Sequence, residues 1–288
     1  MTLGSRRIRL RLMPSLDRSV KVNGLIFHYV EWGAPHAAPL VLLHGITGHA
    51  RTWDRLAPEL SARFRVLALD QRGHGDSDAA PDADYRTDTM AGDLAGFVDQ
   101  LALRTFTLLG LSMGGRVAMA YAGAHPARVE RLVIVDIGPD IHLPGLDRIR
   151  QMMSGSPERL ESEAHALEYV RRANPRYDEA ELRHRVMHGL KRAPDGTLAW
   201  KYDKALRDIV RGGGRHDAID LWEPLGRITC PTLVVRGSES DILSPEIVEK
   251  MVERLPHARV VEVAGAGHTV PGDRPAEFAR VVRSFLDA

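Results

Sequence analysis

The chain has 288 residues, a length that fits one large α/β domain or two smaller domains. Its 39 lysines and arginines nearly balance its 38 aspartates and glutamates, and a net charge of +1 argues against a nucleic-acid partner. No apolar stretch approaches the roughly 18 residues that a membrane span needs, and the single cysteine, Cys230, favours a reducing, cytoplasmic location without an intrachain disulfide.

The N-terminal half alternates between strand-like and helix-like segments. The alternating run Arg6–Leu12 indicates an exposed strand or arm, and Asn23-Gly24 between two apolar runs predicts a β-hairpin. Short continuous apolar runs are typical of strands buried on both faces, whereas apolar residues at i, i+3, i+4 and i+7 predict helices. Further predicted strands are Pro39–Leu43, Phe64–Leu69, Phe106–Leu111 and Leu132–Val135, and the predicted helices are Thr52–Leu60, Thr87–Leu101 and Arg116–Ala124.

A segment from Pro139 to Leu221 interrupts this alternation. It lacks strand-like runs and predicts helices, for example over Pro157–Arg172, Asp178–Leu190 and Tyr202–Val210. Its positive and negative charges nearly cancel, so the net charge of the segment does not select an ionic substrate. Beyond it, the predicted strands and helices alternate again over Thr232–Val235, Pro245–Arg254, Arg259–Val263 and Pro275–Phe285.

Strands that alternate with helices predict an α/β fold with a mostly parallel, doubly wound sheet. The alternation resumes directly after the insertion, so both ends of the inserted segment are anchored at one edge of the sheet. We therefore interpret residues 139–221 as an inserted helical cap between two parts of a core, residues 1–138 and 222–288. The alternative is a separate partner-binding module.

Residues 110–115 read Gly-Leu-Ser-Met-Gly-Gly and lie between a predicted strand and a predicted helix. Gly110 and Gly114 allow a sharp turn with almost no side-chain bulk, which would hold Ser112 in a strained conformation with its hydroxyl projecting. We interpret Ser112 as a nucleophile. The alternative is a glycine-rich turn that merely packs a helix close to a sheet.

A serine hydroxyl becomes a good nucleophile only when an adjacent base removes its proton. The candidate base is His268, which follows a predicted strand on a short loop containing two glycines. Among the 13 histidines it is the last in the chain, and it lies C-terminal to every candidate acid, as His257 also does. The alternative is a loop histidine without a chemical role.

These motifs resemble those of the α/β-hydrolase superfamily over nearly the whole chain. The matching strings are His44-Gly45, residues 70–78, residues 110–115 and Gly267-His268, in that order. Residues 44–48, 70–75 and 235–237 are particularly similar to the amide-cleaving 2-(acetamidomethylene)succinate hydrolases and, more loosely, to ABHD11-type esterases. The resemblance implies an oxyanion hole formed by the backbone N–H groups of Ile46 and Met113.

The resemblance leaves two candidates for the acid that orients the histidine. Most capped members of the superfamily carry it after the cap, as G-x-x-D; counted from Gly237, that place holds Ser240, with Asp241 one residue later. The branch named above carries its acid at the end of the strand before the cap, where Asp136 stands. We favour Asp136 over Asp241.

Aromatic residues at or near the predicted cap are candidates for the substrate pocket, although aromatic residues at such positions also fill cores. These candidates are Trp53, Trp200, Tyr202 and Trp222.

The motifs together favour a serine hydrolase of a small ester, lactone or amide, with a small-molecule substrate and no cofactor. We expect no metal site, because His44, His49 and His74 have no metal-like spacing and no carboxylate companion. A C–C bond hydrolase or a cofactor-free haloperoxidase-like enzyme would use the same triad. The alternative from a different functional class is a non-catalytic ligand-binding protein on this fold. The sequence does not indicate the oligomeric state.

Overall fold

The computed structural model describes residues 14–210 and 219–288, so the predicted arm Arg6–Leu12 lies outside the described residues. Asn23 and Gly24, with φ angles of 49° and 85°, turn the chain between the first two strands as their sequence predicts. The strands are β1 (Leu16–Val22), β2 (Leu25–Trp32), β3 (Ala38–Leu43), β4 (Phe64–Leu69), β5 (Phe106–Leu111), β6 (Val129–Val135), β7 (Leu190–Arg192), β8 (Leu198–Trp200), β9 (Thr232–Gly237) and β10 (Ala258–Val263).

Eight of these strands form one sheet in the order β1-β2-β4-β3-β5-β6-β9-β10. The pairs β1–β2 and β2–β4 are antiparallel, and every other neighbouring pair in this sheet is parallel. The predicted mostly parallel sheet is therefore confirmed. Because the six neighbouring strands β3, β4, β5, β6, β9 and β10 run in the same direction, the residues that follow them meet at one edge of the sheet.

Helices cover both faces of the sheet. One face packs against α2, α3, α8 and α9, and the other packs against α1 and α11, so that two apolar cores lie on opposite sides of the strands. The helices are α1 (Ala57–Leu60), α2 (Thr87–Gln100), α3 (Met113–Ala124), α4 (Leu143–Gly155), α5 (Glu163–Ala173), α6 (Glu179–Gly189), α7 (Ala205–Val210), α8 (Trp222–Leu225), α9 (Pro245–Arg254), α10 (Val270–Asp273) and α11 (Pro275–Leu286).

The inserted segment is mainly helical, but the prediction that it lacks strands is wrong. β7 and β8 form an antiparallel hairpin, and Gly196, with φ at 84°, lies in the turn between them. These strands have three residues each, which is too short to produce a clear alternating pattern. The predicted helix Pro157–Arg172 begins six residues later than expected, because the Ser162 side chain caps α5 by accepting the His165 N–H at 3.2 Å.

The predicted helix Thr52–Leu60 is also wrong as a single element. The structure has a 3-10 helix over Ala50–Trp53 and then the separate one-turn helix α1. Pro58 lies in the first turn of α1, where its missing N–H is tolerated, and this favours a new helix start at that point. No helix of the described residues is both long enough and apolar enough to cross a bilayer.

Candidate active site

Ser112 lies at the tip of a sharp turn between β5 and α3. Its φ and ψ angles are 53° and −117°, a conformation that L-residues rarely adopt. The turn requires glycine on both sides, since a Cβ on Gly110 would lie 2.2 Å from the Gly114 carbonyl oxygen and a Cβ on Gly114 would lie 2.6 Å from the Leu43 oxygen. The sequence therefore specifies a turn that holds a nearly buried serine at the end of the central strands.

His268 follows β10 on a short loop, and its Nε2 atom lies 2.8 Å from the Ser112 Oγ atom. Asp273 holds this loop on both sides of the histidine. The Gly267 N–H donates to one carboxylate oxygen of Asp273 at 2.8 Å, and the Thr269 hydroxyl donates to the other at 3.2 Å. Burial raises the pKa of Asp273, although both hydrogen bonds oppose that shift.

Asp136 directly follows β6 and is fully buried, with a φ angle of 50°. Its Oδ2 atom lies 2.9 Å from His268 Nδ1 and accepts the Ser240 hydroxyl at 2.5 Å, while its Oδ1 atom accepts the Gly237 N–H at 2.8 Å. A carboxylate can only accept, so Nδ1 of His268 carries the proton and Nε2 is free to accept the Ser112 proton. Ser112, His268 and Asp136 thus form one hydrogen-bonded series.

Asp241, the other candidate acid, is not hydrogen-bonded to His268 but to Arg148. Its carboxylate forms an ion pair with Arg148 of α4, with 2.9 Å between Oδ1 and Nη2. Ser240, which holds the G-x-x-D position, instead supports Asp136 through the hydrogen bond described above. The sequence analysis did not predict this supporting role of Ser240. The usable signal was a serine at the position where the resemblance implies an aspartate.

The backbone N–H groups of Ile46 and Met113 flank the serine. Met113 is the first residue of α3, so its N–H has no partner within the helix. A Cβ on Gly45 would lie 3.2 Å from the Ser112 Cβ, which places the loop after β3 directly beside the nucleophile turn. Within residues 14–210 and 219–288, neither N–H group donates a hydrogen bond.

His44 and Asp70 hold the loop that carries Ile46. The Gln71 N–H donates to His44 Nε2 at 3.1 Å, so Nδ1 of His44 is protonated and donates to the Gly45 carbonyl at 2.8 Å. Burial by itself raises the pKa of Asp70, but hydrogen bonds from His28 and from backbone N–H groups outweigh it and lower the pKa to about 2. One of those backbone groups belongs to Ala50.

A cavity of about 540 Å³ lies over Ser112 and His268. The loop after β3 and residues of the inserted segment both line it. Of the predicted pocket aromatics, Trp200 and Tyr202 line this cavity.

Trp53 and Trp222 do not line the cavity, so their prediction as pocket residues is wrong. Trp53 is fully buried in the core, where its ring stacks on Phe278 with 6.4 Å between the ring centroids. Trp222 begins α8, and its Nε1 donates to Asp140 at 3.1 Å. Aromatic identity alone carries no information about which surface a side chain contacts.

Two groups of metal-type ligands occur among the described residues, and one of them consists of His28, Asp70 and Asp76, of which His28 and Asp70 are hydrogen-bonded to each other at 2.7 Å. In the other group, donor atoms of Asp54, His184 and His188 lie within 4.8 Å of one another. His184 Nε2 is hydrogen-bonded to Asp54 at 2.9 Å, and Arg51 approaches the same carboxylate at 3.6 Å. This ionic contact accounts for the clustering without a metal ion.

The sheet order, the strained serine turn and the hydrogen-bonded series together define an α/β hydrolase. The family model for the alpha/beta hydrolase fold matches residues 38–275. The chain belongs to the α/β-hydrolase family, and it is an enzyme of the hydrolase class.

Relatives in this family share most of their length with the chain. N-formylmaleamate deformylase of Pseudomonas putida is 31% identical over 269 residues, covering 93% of this chain and 96% of the relative. The sn-1-specific diacylglycerol lipase ABHD11 of Mus musculus is 33% identical over 270 residues, covering 86% and 80%. The crystal structure of E-2-(acetamidomethylene)succinate hydrolase superposes with a TM-score of 0.87 at 28% identity, covering 96% of this chain and all of that chain.

Proposed function

We propose that the protein is a serine hydrolase that cleaves a small ester, lactone or amide through an acyl-enzyme. The observation that carries this proposal is the series Ser112–His268–Asp136, with 2.8 Å and 2.9 Å between the paired atoms. Ser112 is the nucleophile, His268 the general base and Asp136 the acid that orients the imidazole. These are the three roles that acyl transfer by a serine requires.

In the first half-reaction Ser112 Oγ attacks the substrate carbonyl carbon while its proton moves to Nε2 of His268. The carbonyl oxygen becomes an oxyanion, which the N–H groups of Ile46 and Met113 stabilise. Asp136 stabilises the imidazolium and remains ionised. The tetrahedral intermediate then collapses, and His268 gives its proton to the leaving alcohol or amine.

In the second half-reaction His268 removes a proton from a water molecule, and the resulting hydroxide attacks the acyl carbon. The same N–H groups bind the second oxyanion. Collapse of this intermediate breaks the bond to Ser112 Oγ, which regains its proton from His268. The product acid leaves, and the enzyme returns to its starting protonation state.

We further propose that residues 139–221 act as a cap that selects the substrate. Support comes from α4, α5, α6 and β8, each of which contributes residues to the cavity lining over Ser112. The names of the related proteins denote an N-deformylase, an acetamido-compound hydrolase and a lipase. Amides and esters are therefore the first substrates to test.

The test combines active-site labelling with a panel of p-nitrophenyl esters, lactones and N-acyl compounds. The wild-type protein should react with a fluorophosphonate probe at Ser112 and hydrolyse members of the panel. Ser112→Ala should abolish labelling and lower kcat by about 10³-fold or more while the circular dichroism spectrum stays unchanged. Turnover by Ser112→Ala near the wild-type rate would exclude this mechanism.

A further inference from the structure

Two buried ring groups of the cavity lining have no hydrogen-bond partner. His49 is only 4% exposed, and neither of its ring nitrogens is bonded within the described part of the chain. The same is true of the indole Nε1 of Trp200, which is 7% exposed. Native proteins pair nearly all buried polar groups, so two such groups in one cavity point to a ligand that would pair them.

Both rings line the same cavity, and His49 belongs to the wall that the end of α6 and the loop after β3 form. A Cβ built on Gly189, at the end of α6, would lie 3.7 Å from Nε2 of His49. The Gly189 carbonyl accepts the N–H of Lys201 at 2.8 Å, and Lys201 directly follows Trp200. Gly189 therefore lies beside His49 and is hydrogen-bonded to the residue that follows Trp200.

Arg185 supplies the charge at this wall. It precedes Gly189 by four residues on α6, so the two share a face of the helix. Its guanidinium donates to the Thr47 hydroxyl at 3.0 Å, and Thr47 is a β-branched residue with a φ angle of 62°. No carboxylate of the described residues lies within ion-pair distance of Arg185.

Other arginines of the cavity lining are neutralised. Arg148 is paired with Asp241, and Arg176 is paired with Glu239. Glu181 also lines the cavity but pairs with Arg55, at 3.0 Å between Oε2 and Nε. Asp273 also lines the cavity without an ion pair among the described residues, but it lies on the loop of His268. On the wall formed by α6 and the loop after β3, the charged side chain without an ion pair is therefore Arg185.

The protonation states define what this wall can bind. Burial, and next the charge of Arg185, hold the pKa of His49 well below its ordinary value, so the ring is neutral and offers one donor and one acceptor. The indole and the guanidinium can only donate. The donors of this set favour a ligand group that is rich in acceptors, and the charge of Arg185 favours a negatively charged one.

We propose that His49, Trp200 and Arg185 form a subsite that binds a carboxylate of the substrate, in the cavity that contains Ser112. The guanidinium pairs with the carboxylate, and the two ring N–H groups bind its remaining lone pairs. The part of this inference that names the ligand as substrate rests on the proposed function. The existence of the subsite does not.

Binding without turnover tests the subsite alone. In the Ser112→Ala background, calorimetry should detect adipate and glutarate, whereas adipamide and glutaramide should bind at least 10-fold more weakly. Adding Trp200→Phe, which removes one N–H, or Gly189→Ala, whose methyl would fill the space beside His49, should weaken the diacids at least 10-fold. Equal binding of diacid and diamide, or no binding of either diacid, would overturn the proposal.

Two matched controls separate this effect from general damage. Trp222→Phe removes an indole outside the cavity, and Gly92→Ala adds a helical methyl that meets no atom within 4 Å. Both should leave diacid binding unchanged. A loss of diacid binding in these controls equal to that in Trp200→Phe and Gly189→Ala would also overturn the subsite.

Turnover then tests whether the bound carboxylate belongs to the substrate. Wild-type kcat/KM should be at least 10-fold higher for the mono-4-nitrophenyl ester of adipic acid than for 4-nitrophenyl hexanoate. Trp200→Phe and Gly189→Ala should reduce that ratio toward one. Hydrolysis of both esters at equal rates would overturn the inference that the bound carboxylate belongs to the substrate, and the proposed function would stand. Diacid binding without any ester, lactone or amide hydrolysis would support the subsite and count against the proposed function.

Discussion

The sheet core and the inserted segment (residues 139–221) are stabilised in different ways. The core buries long runs of apolar side chains on both faces of the sheet, and the residues of β3 and β6 nearest the site are fully buried. The described part of the insertion has two small apolar clusters, one around Leu160, Val170 and Trp200 and one that contains Met153 and Leu206. Many of its contacts with the core are polar, including Arg55–Asp178, Lys201–Asp76 and Tyr85–Asp203.

The two regions also contribute different parts of the candidate active site. Ser112, Asp136 and His268 all follow core strands, so a rigid sheet fixes their mutual distances. The insertion supplies walls of the cavity and is held partly by exposed ion pairs, which contribute little stability each and weaken with salt. Changes in the core should therefore alter the rate of chemistry or the stability, and changes in the insertion should alter substrate selection.

The largest effect is expected from the carboxylate of the core. Asp136→Asn should lower kcat by about 10⁴-fold, because an asparagine no longer fixes the His268 tautomer or stabilises the imidazolium. Asp241→Asn, the matched control, removes a carboxylate that pairs with Arg148 and should cost less than about 10-fold. Steady-state kinetics on one ester measures both losses, and a greater loss in Asp241→Asn would assign the role of the acid to Asp241.

The second prediction removes the insertion. Replacing residues 139–221 by a short linker should leave a folded sheet domain whose kcat/KM falls by about 10²-fold or more, since substrate positioning is lost. Labelling of Ser112 by a fluorophosphonate should persist in this variant. Unchanged relative rates across the substrate panel would mean that the insertion does not select the substrate.

The third prediction concerns stability of the core loop. Asp70 has a folded-state pKa of about 2 against an ordinary value of 3.8, which corresponds to about 2 kcal/mol at neutral pH. Because the pKa is lowered on folding, this contribution is complete above about pH 4 and is lost as the pH falls toward 2. Asp70→Asn should therefore lower the free energy of unfolding by about 2 kcal/mol at pH 7.

Urea denaturation at several pH values measures this quantity. The gap between wild type and Asp70→Asn should narrow as the pH falls from about 4 to 2. Asp147→Asn, at an exposed ion pair with Arg150, serves as a control and should change stability by less than about 0.5 kcal/mol. A gap that does not depend on pH would disprove the assigned role of the charge.

The smallest effect is expected where the two regions meet. Arg55 binds both carboxylate oxygens of Asp178 at 2.8 and 2.9 Å and thereby ties the start of α6 to the core. Arg55→Met should raise KM by about 2- to 5-fold with little change in kcat, and the difference should shrink in high salt. Arg280→Met, which breaks an exposed ion pair on α11, is the control and should leave KM unchanged. A fall in kcat instead of a rise in KM for Arg55→Met would contradict the assignment of chemistry to the core and of substrate selection to the insertion.

Local patterns predicted most of the core. Continuous apolar runs located its buried strands, and the glycines at 110 and 114 identified the turn of Ser112, because both signals act over a few neighbouring residues. The inserted segment was predicted less well. Its hairpin β7–β8 was missed, and the start of α5 was placed six residues early, since short elements carry weak periodicity.

The sequence by itself determined the alternating strands and helices, and it pointed to Ser112, His268 and Asp136 as residues that follow strands. Only the tertiary structure decided which carboxylate reaches His268, that Trp53 fills a core, and that Arg185 lines the cavity without an ion-paired carboxylate among the described residues. The near-zero net charge of the insertion does not reveal that last feature, because ion pairing depends on distances between segments far apart in the chain. Secondary structure follows from neighbours along the chain, whereas side-chain partners are set by packing.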